Sequence, residues 1–183
     1  MAGPAFEPNG AVRFDLKNGA ASDSKGGRLV LVPSAVLAGL DPATLAHIGD
    51  ALGRACGARI ASRLGGDNGV RATNLEVVVT HLAGELAIAG VGAVHLERWG
   101  RAMVAVVQNP GVADDAFVGA VLAGALSAAS GRDLSAAPLG KDGGRSRYFL
   151  GGAATAARAS ALASQGKGFA DVLASIQAKE GSS

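Results

Sequence analysis

The 183-residue sequence has few of the residue types that usually reveal chemistry. Its one cysteine, Cys56, excludes an intrachain disulfide and a cysteine-clustered zinc site. Five phenylalanines, one tryptophan and one tyrosine are its only aromatic residues, so the core must be built mainly from Ala, Val, Leu and Ile. No apolar run approaches the roughly 20 residues that span a bilayer, which predicts a protein without a membrane span.

Common catalytic signatures are missing as well. The patterns Gly-x-Ser-x-Gly and His-Glu-x-x-His do not occur, and His47, His81 and His95 are not spaced as metal ligands. The glycine-rich segment 140–145 lacks the Gly-Lys-Ser/Thr ending of a phosphate-binding loop, and a hairpin turn explains it better. We therefore expect no catalytic residues, no metal and no cofactor, and a protein that is not an enzyme.

The charge pattern argues against nucleic acid as a partner. The net charge is +2, and acidic and basic residues are interspersed without basic patches or interleaved aromatics. The N-terminal residues have no basic segment followed by an apolar run, so no secretory signal is expected. These features predict a cytoplasmic protein that does not bind nucleic acid.

A row of glycines stands out in a region that should be helical. Gly49, Gly53 and Gly57 recur every four residues, which places them on one helical face. Each glycine costs a helix about 1 kcal/mol relative to alanine, so such a row indicates that another backbone or a ligand packs closely against it. We expect a close-packing surface, within the fold or across a dimer. Gly119 and Ala123 mark a second helix with small residues.

Alternating apolar runs and polar turns predict an α+β fold, with antiparallel hairpins and helices packed on one face of the sheet. We divide the chain into an N-terminal arm, hairpin and short helix (1–40), a central domain (41–150) and a C-terminal helical extension (151–183). The extension either docks a partner or covers the open side of the same subunit. The predicted elements are strands 12–16 and 28–32, helices 33–40, 41–64 and 74–90, a hairpin of strands 93–99 and 102–108, helix 116–130, strands 134–139 and 145–150, and helices 153–164 and 169–177.

Two places are candidate interaction sites. Cys56, beside Gly57, is either a small buried hydrophobe or a ligand-binding or acylated thiol. Arg98, Trp99 and Arg101 cluster at the tip of the predicted hairpin. Because Trp and Arg are favoured at interface hot spots, this tip is a candidate partner surface, with an ordinary exposed turn as the alternative.

Five segments of the chain together resemble the cellulose synthase D-subunit family of cellulose-secreting bacteria. They are residues 48–60 (IGDALGRACGARI), 75–86, 90–97 (GVGAVHLE), 106–110 (VVQNP) and 117–127 (FVGAVLAGALS). The resemblance covers about residues 41–150 and implies a non-enzymatic structural subunit that organises glucan chains into crystalline fibres. It implies dimers that assemble into a ring-like octamer. The expected partners are other subunits of the synthase complex, with glucan chains as a further candidate. Members are often periplasmic, which is the alternative location.

A weaker similarity is to the 4-vinyl reductase domain, a relative of the TRAPP-like fold. It is carried by the glycine-bearing helix, the hairpin and residues 146–149 (SRYF) in the last strand. This similarity implies a homodimeric module with an apolar pocket that binds a hydrophobic small ligand or a protein partner. It is the alternative function.

Overall fold

A computed structural model describes residues 6–9 and 11–180, except the side chains of Asp67, Lys179 and Glu180. The rest of the predicted N-terminal arm and C-terminal extension lies outside this description. The elements are β1 (Val12–Asp15), β2 (Ala20–Asp23), β3 (Arg28–Leu29), α1 (Ser34–Leu37), α2 (Pro42–Arg63), α3 (Gly66–Ala72), α4 (Leu75–Ile88), β4 (Ala93–Trp99), β5 (Ala102–Gln108), α5 (Asp115–Ser130), β6 (Ser135–Asp142), β7 (Arg145–Gly151), α6 (Ala153–Ser164) and α7 (Phe169–Glu180).

The predicted α+β class is confirmed. Strands β4 to β7 form an antiparallel sheet in the order β4-β5-β7-β6, and β1, β2 and β3 form a small separate sheet. Two elements were not predicted. Strand β2 lies in a segment of weak β propensity and forms by pairing with β1. Helix α3 follows α2 after Gly65, whose φ of 90° turns the chain where we expected only a loop.

The main sheet is covered on both faces, which corrects the expectation of helices on one face only. Val104 and Val106 of β5 belong to a core with α6 and α7, whereas Ala105 and Val107 belong to a core with α2, α4 and α5. All four side chains are fully buried. Ile176 of α7 is buried in the core that contains Val104 and Val106. The C-terminal helices therefore cover the sheet of their own subunit.

The glycine row packs α2 directly against the backbone of α5. A Cβ atom on Gly49 would lie 2.6 Å from the carbonyl oxygen of Phe117, and one on Gly53 or Gly57 would meet carbonyl oxygens one and two turns further along α5. Gly124 of α5 returns the contact, because its Cβ would lie 2.6 Å from the Asp50 carbonyl oxygen. This close approach is therefore within one chain.

Gly119 and Ala123, the small residues that we singled out on α5, differ from the glycine row of α2. Gly119 is buried, but a Cβ atom there would have its nearest neighbour, the Ala136 carbonyl oxygen, at an ordinary 3.7 Å. Ala123 is half-buried. Among the described residues, no helix combines the length and apolar character required to cross a bilayer.

Candidate ligand-binding groove

A groove with two adjacent lobes opens between α4 and the β4–β5 hairpin. The helix lobe, about 510 Å³, reaches the C-terminal end of α5, and the hairpin lobe, about 560 Å³, reaches the hairpin turn. Leu75, Leu96 and Met103 line both lobes, which are therefore adjacent. The helix lobe is completed by Val70, Arg71, Thr73, Val78, Leu126, Ser130, Arg132, Leu134 and Leu150, and the hairpin lobe by Asn74, Glu76, Val79, Glu97, Arg98, Arg101 and Ala102.

Local structure explains why apolar side chains line this groove. Side chains alternate along β4, so Leu96 and Arg98 share the face that carries Val94 into the core. The Asn74 side chain caps α4 by accepting a hydrogen bond from the Glu76 backbone N–H at 3.0 Å. The cap makes Leu75 the first helical residue, where it lies over the strands and remains 55% exposed.

The charged groups are unevenly distributed along the groove. Arg71 and Arg132 are the only charged residues that line the helix lobe, and both are exposed at its rim. Within the described part of the chain, neither guanidinium has an ion pair or a hydrogen bond. The hairpin lobe instead mixes arginines with Glu76 and Glu97. An apolar floor with unpaired cations at the rim suits an apolar molecule that carries an acidic group.

The hydroxyl groups of the lining are bonded to nearby backbone. Thr73 Oγ1 donates a hydrogen bond to the Gly69 carbonyl oxygen at 2.7 Å, and Ser130 Oγ donates one to the Leu126 carbonyl oxygen at 2.7 Å. Among the described residues, no three side chains of His, Cys, Asp or Glu are grouped to hold a metal. Such a lining can bind and orient an apolar molecule.

The predicted partner surface at the hairpin tip is divided between two faces. Arg98 and Arg101 line the hairpin lobe. Trp99 lies on the opposite face, where its ring meets Phe169 of α7 edge-on at 4.9 Å and its Nε1 donates a hydrogen bond to Glu97. Trp99 remains 44% exposed, so α7 covers part of the surface that we assigned to a partner.

Cys56, the ligand or acyl candidate, lies in the interior and away from the groove. Its side chain is fully buried, and the Arg59 Nη2 donates a hydrogen bond to its Sγ at 3.3 Å. Burial raises the pKa of the Cys56 thiol to about 11, although the Arg59 charge opposes this shift. The thiol is therefore protonated and enclosed near neutral pH.

This raised pKa predicts a loss of stability at alkaline pH. The unfolded thiol ionises near pH 9.0 and the folded thiol near pH 11, so the unfolded state binds fewer protons between them. The buried thiol therefore makes its full contribution to the free energy of unfolding below pH 9. This free energy should fall by about 2 kcal/mol between pH 9 and pH 11. We expect urea unfolding to show this decline in the wild type and a smaller one in Cys56→Ala. If the free energy of unfolding declines equally in the wild type and in Cys56→Ala, this prediction is wrong.

A buried carboxylate holds the helix layer together near Cys56. Glu85 of α4 is 2% exposed and receives a hydrogen bond from Arg59 Nε at 2.7 Å and a second from Arg63. The Arg59 guanidinium is also 3.9 Å from Asp23 of β2. Both oxygens of Glu85 are paired, so this cluster connects α2, α4 and the small sheet rather than presenting a site.

Sequence reasoning missed the groove, although one signal for it was present. Leu75, Leu96 and Met103 look like ordinary core residues in their own segments. Alternation along β4 does show that Leu96 and Arg98 share a face. The antiparallel pairing of the hairpin then places Met103 beside Arg98. What the sequence did not show is that α4 begins above these strands.

Comparison with known proteins gives a match at the level of structure. No protein-family model and no curated protein sequence matches the chain. The crystal structure of the phenol-responsive sensory domain of the transcription activator PoxR with phenol matches with a TM-score of 0.57 at 16% sequence identity. The match covers 76% of this chain and 84% of that domain. At this identity the likeness shows that the two proteins share an α+β fold.

Proposed function

We propose that the protein is a non-enzymatic binding module whose groove takes an elongated apolar small molecule with an acidic group. The observation that carries the proposal is the two-lobed groove with its apolar floor and, at its rim, Arg71 and Arg132, which have no ion pair or hydrogen bond among the described residues. The similarity to the 4-vinyl reductase domain implies a homodimeric module that binds either a hydrophobic small ligand or a protein partner. The proposed function corresponds to ligand binding.

Size and shape support this ligand class. Each lobe lies within the roughly 300–1,000 Å³ range of small-molecule sites. Because the lobes are adjacent and share Leu75, Leu96 and Met103 in their linings, we expect a chain-like molecule to occupy both. The PoxR sensory domain is phenol-responsive, so a protein of similar fold uses a small, largely apolar molecule as its signal.

The scaffold function implied by the resemblance to the cellulose synthase D-subunit family stays a prediction. The glycine row, which could have supported assembly, contacts α5 of the same chain. The ring-like octamer, the other synthase subunits and glucan therefore rest on the resemblance alone.

Calorimetric titration with decanoate, an apolar chain with one carboxylate, tests the proposed function. We expect saturable binding of one decanoate per chain. Leu75→Glu should abolish this binding, because it places a carboxylate at a position that lines both lobes. Folding should survive, since Leu75 is exposed and an acidic residue is favourable in the first turn of a helix.

The matched control is Ile88→Glu, at an exposed apolar position on the same helix but outside the groove. It should bind decanoate as the wild type does. Absence of binding to the wild type would contradict the proposed function, as would equal binding by Leu75→Glu. An octamer that does not bind decanoate would favour the scaffold function instead.

A further inference from the structure

The two lobes of the groove differ in their balance of charge. Among the described side chains that line the helix lobe, the charged ones are Arg71 and Arg132, which gives a balance of +2. The hairpin lobe has two arginines and two glutamates, which gives a balance of zero. These four residues are Arg98, Arg101, Glu76 and Glu97. An anionic group is therefore attracted to the helix lobe rather than to the hairpin lobe.

Two helix ends bring the arginines to the same lobe. Arg71 lies in the last turn of α3, and Arg132 follows Gly131, which ends α5. Helix α3 packs against α5, so both ends open onto the helix lobe. The next residue, Asp133, does not line this lobe, and its charge instead stabilises the charged form of Arg54 on α2. The charge of the helix lobe is therefore left for a ligand to neutralise.

The other polar side chains of the helix lobe already have acceptors. The hydroxyl groups of Thr73 and Ser130 both donate to backbone carbonyl oxygens of their own helices or turns, so the guanidinium groups are the donors that the described lining offers to an anion. A guanidinium presents parallel N–H groups that pair with two oxygens at once. One such group is sufficient for a carboxylate, whereas the three free oxygens of a phosphate monoester can accept from two.

We infer that the preferred ligand of the groove is a phosphate monoester of an apolar chain, with its phosphate bound by Arg71 and Arg132 and its chain directed towards the hairpin lobe. Such a phosphate carries a charge of about −1.5 to −2 at pH 7, which matches two guanidinium groups. The chain then lies along the three apolar residues that both lobes share, and the glutamates of the hairpin lobe disfavour the opposite orientation. This inference rests on the proposed function.

Calorimetric titration of the wild type with decyl phosphate and with decanoate tests the acidic group. The two ligands have apolar chains of similar length, so a difference in affinity reports the acidic group. Decyl phosphate should bind about tenfold more tightly than decanoate, because it can accept hydrogen bonds from both guanidinium groups. Inorganic phosphate, which has no chain, should not bind at the concentrations at which decyl phosphate saturates the protein.

Replacing one arginine at a time separates the two ligands. Arg71→Gln and Arg132→Gln should each weaken decyl phosphate binding about tenfold but decanoate binding less than about threefold, because the remaining guanidinium still holds a carboxylate. Arg98→Gln, in the hairpin lobe, is the matched control and should leave both affinities within about twofold. Cations near a helix C-terminus also stabilise the helix, so the ratio of the two affinities is the readout. A purely structural role would weaken both ligands equally.

Four results would overturn the inference. They are equal affinities of the wild type for the two ligands, an unchanged ratio of affinities in both Arg71→Gln and Arg132→Gln, a larger loss in Arg98→Gln than in either of these variants, and binding of inorganic phosphate as tight as that of decyl phosphate. With equal affinities that Leu75→Glu abolishes, the proposed function stands and this inference alone fails. If neither decyl phosphate nor decanoate binds the wild type, the proposed function fails as well.

Discussion

Replacing Gly53 by alanine is expected to lower the free energy of unfolding by about 1–2 kcal/mol. The added Cβ would meet the Val121 carbonyl oxygen and lie 2.9 Å from the Ala125 amide nitrogen. Both atoms are α5 backbone, so relief requires the two helices to separate. The strain should outweigh the roughly 1 kcal/mol that alanine adds to helix propensity. Urea unfolding monitored by circular dichroism measures the change.

The matched control is Gly119→Ala on the facing helix. A Cβ there has only ordinary contacts, the nearest at 3.7 Å, so alanine should keep or raise stability by up to about 1 kcal/mol. The two substitutions are therefore expected to act with opposite signs. Similar unfolding midpoints for the two variants would show that α2 and α5 are not packed backbone against backbone.

Replacing Glu85 by leucine is expected to cost about 3–5 kcal/mol of unfolding free energy. The carboxylate is 2% exposed and is hydrogen-bonded to Arg59 and Arg63, so its removal leaves two partly buried guanidinium groups without their anion. The Arg59 contact with Asp23 should weaken as well, because Glu85 holds Arg59 in place. Chemical unfolding at neutral pH measures the loss.

A surface pair on the same helix α2 provides the comparison. Arg54 and Asp50 are 2.8 Å apart, but both side chains are substantially exposed. Asp50→Ala should therefore cost less than about 1 kcal/mol. If Glu85→Leu costs no more than Asp50→Ala, the buried cluster is not a major source of stability.

Local chemistry made several elements predictable from the sequence. Asp41 caps α2 by accepting hydrogen bonds from the Ala43 and Thr44 backbone N–H groups, as the Asp-Pro pair indicated. Gly131 ends α5 with a φ of 65°, a conformation in which glycine carries little steric cost. The β4–β5 hairpin has the predicted bounds. In each case the deciding residues lie within a few positions of one another.

The features that were missed depend on distant segments. Residues 102–107 are apolar without alternation, which is typical of a strand buried on both faces. The sequence left open whether the C-terminal helices cover this subunit or dock a partner, because no local pattern in α6 or α7 shows which surface they pack against. The groove was missed for a related reason. It exists because α4 begins above Leu96 and Met103, and a helix-to-strand placement of that kind has no local pattern in either segment.

The cover on the second sheet face has a consequence during synthesis. Val104 and Phe149 belong to a core that Ile176 completes, so this face stays uncovered until α7 has left the ribosome. The glycine contacts of α2 with α5 need only residues up to about 130 and can form much earlier. One side of the molecule can therefore consolidate during translation while the other is still an apolar sheet surface. During that interval the nascent chain depends on chaperone shielding, or on slow encounter with other chains, to avoid aggregation.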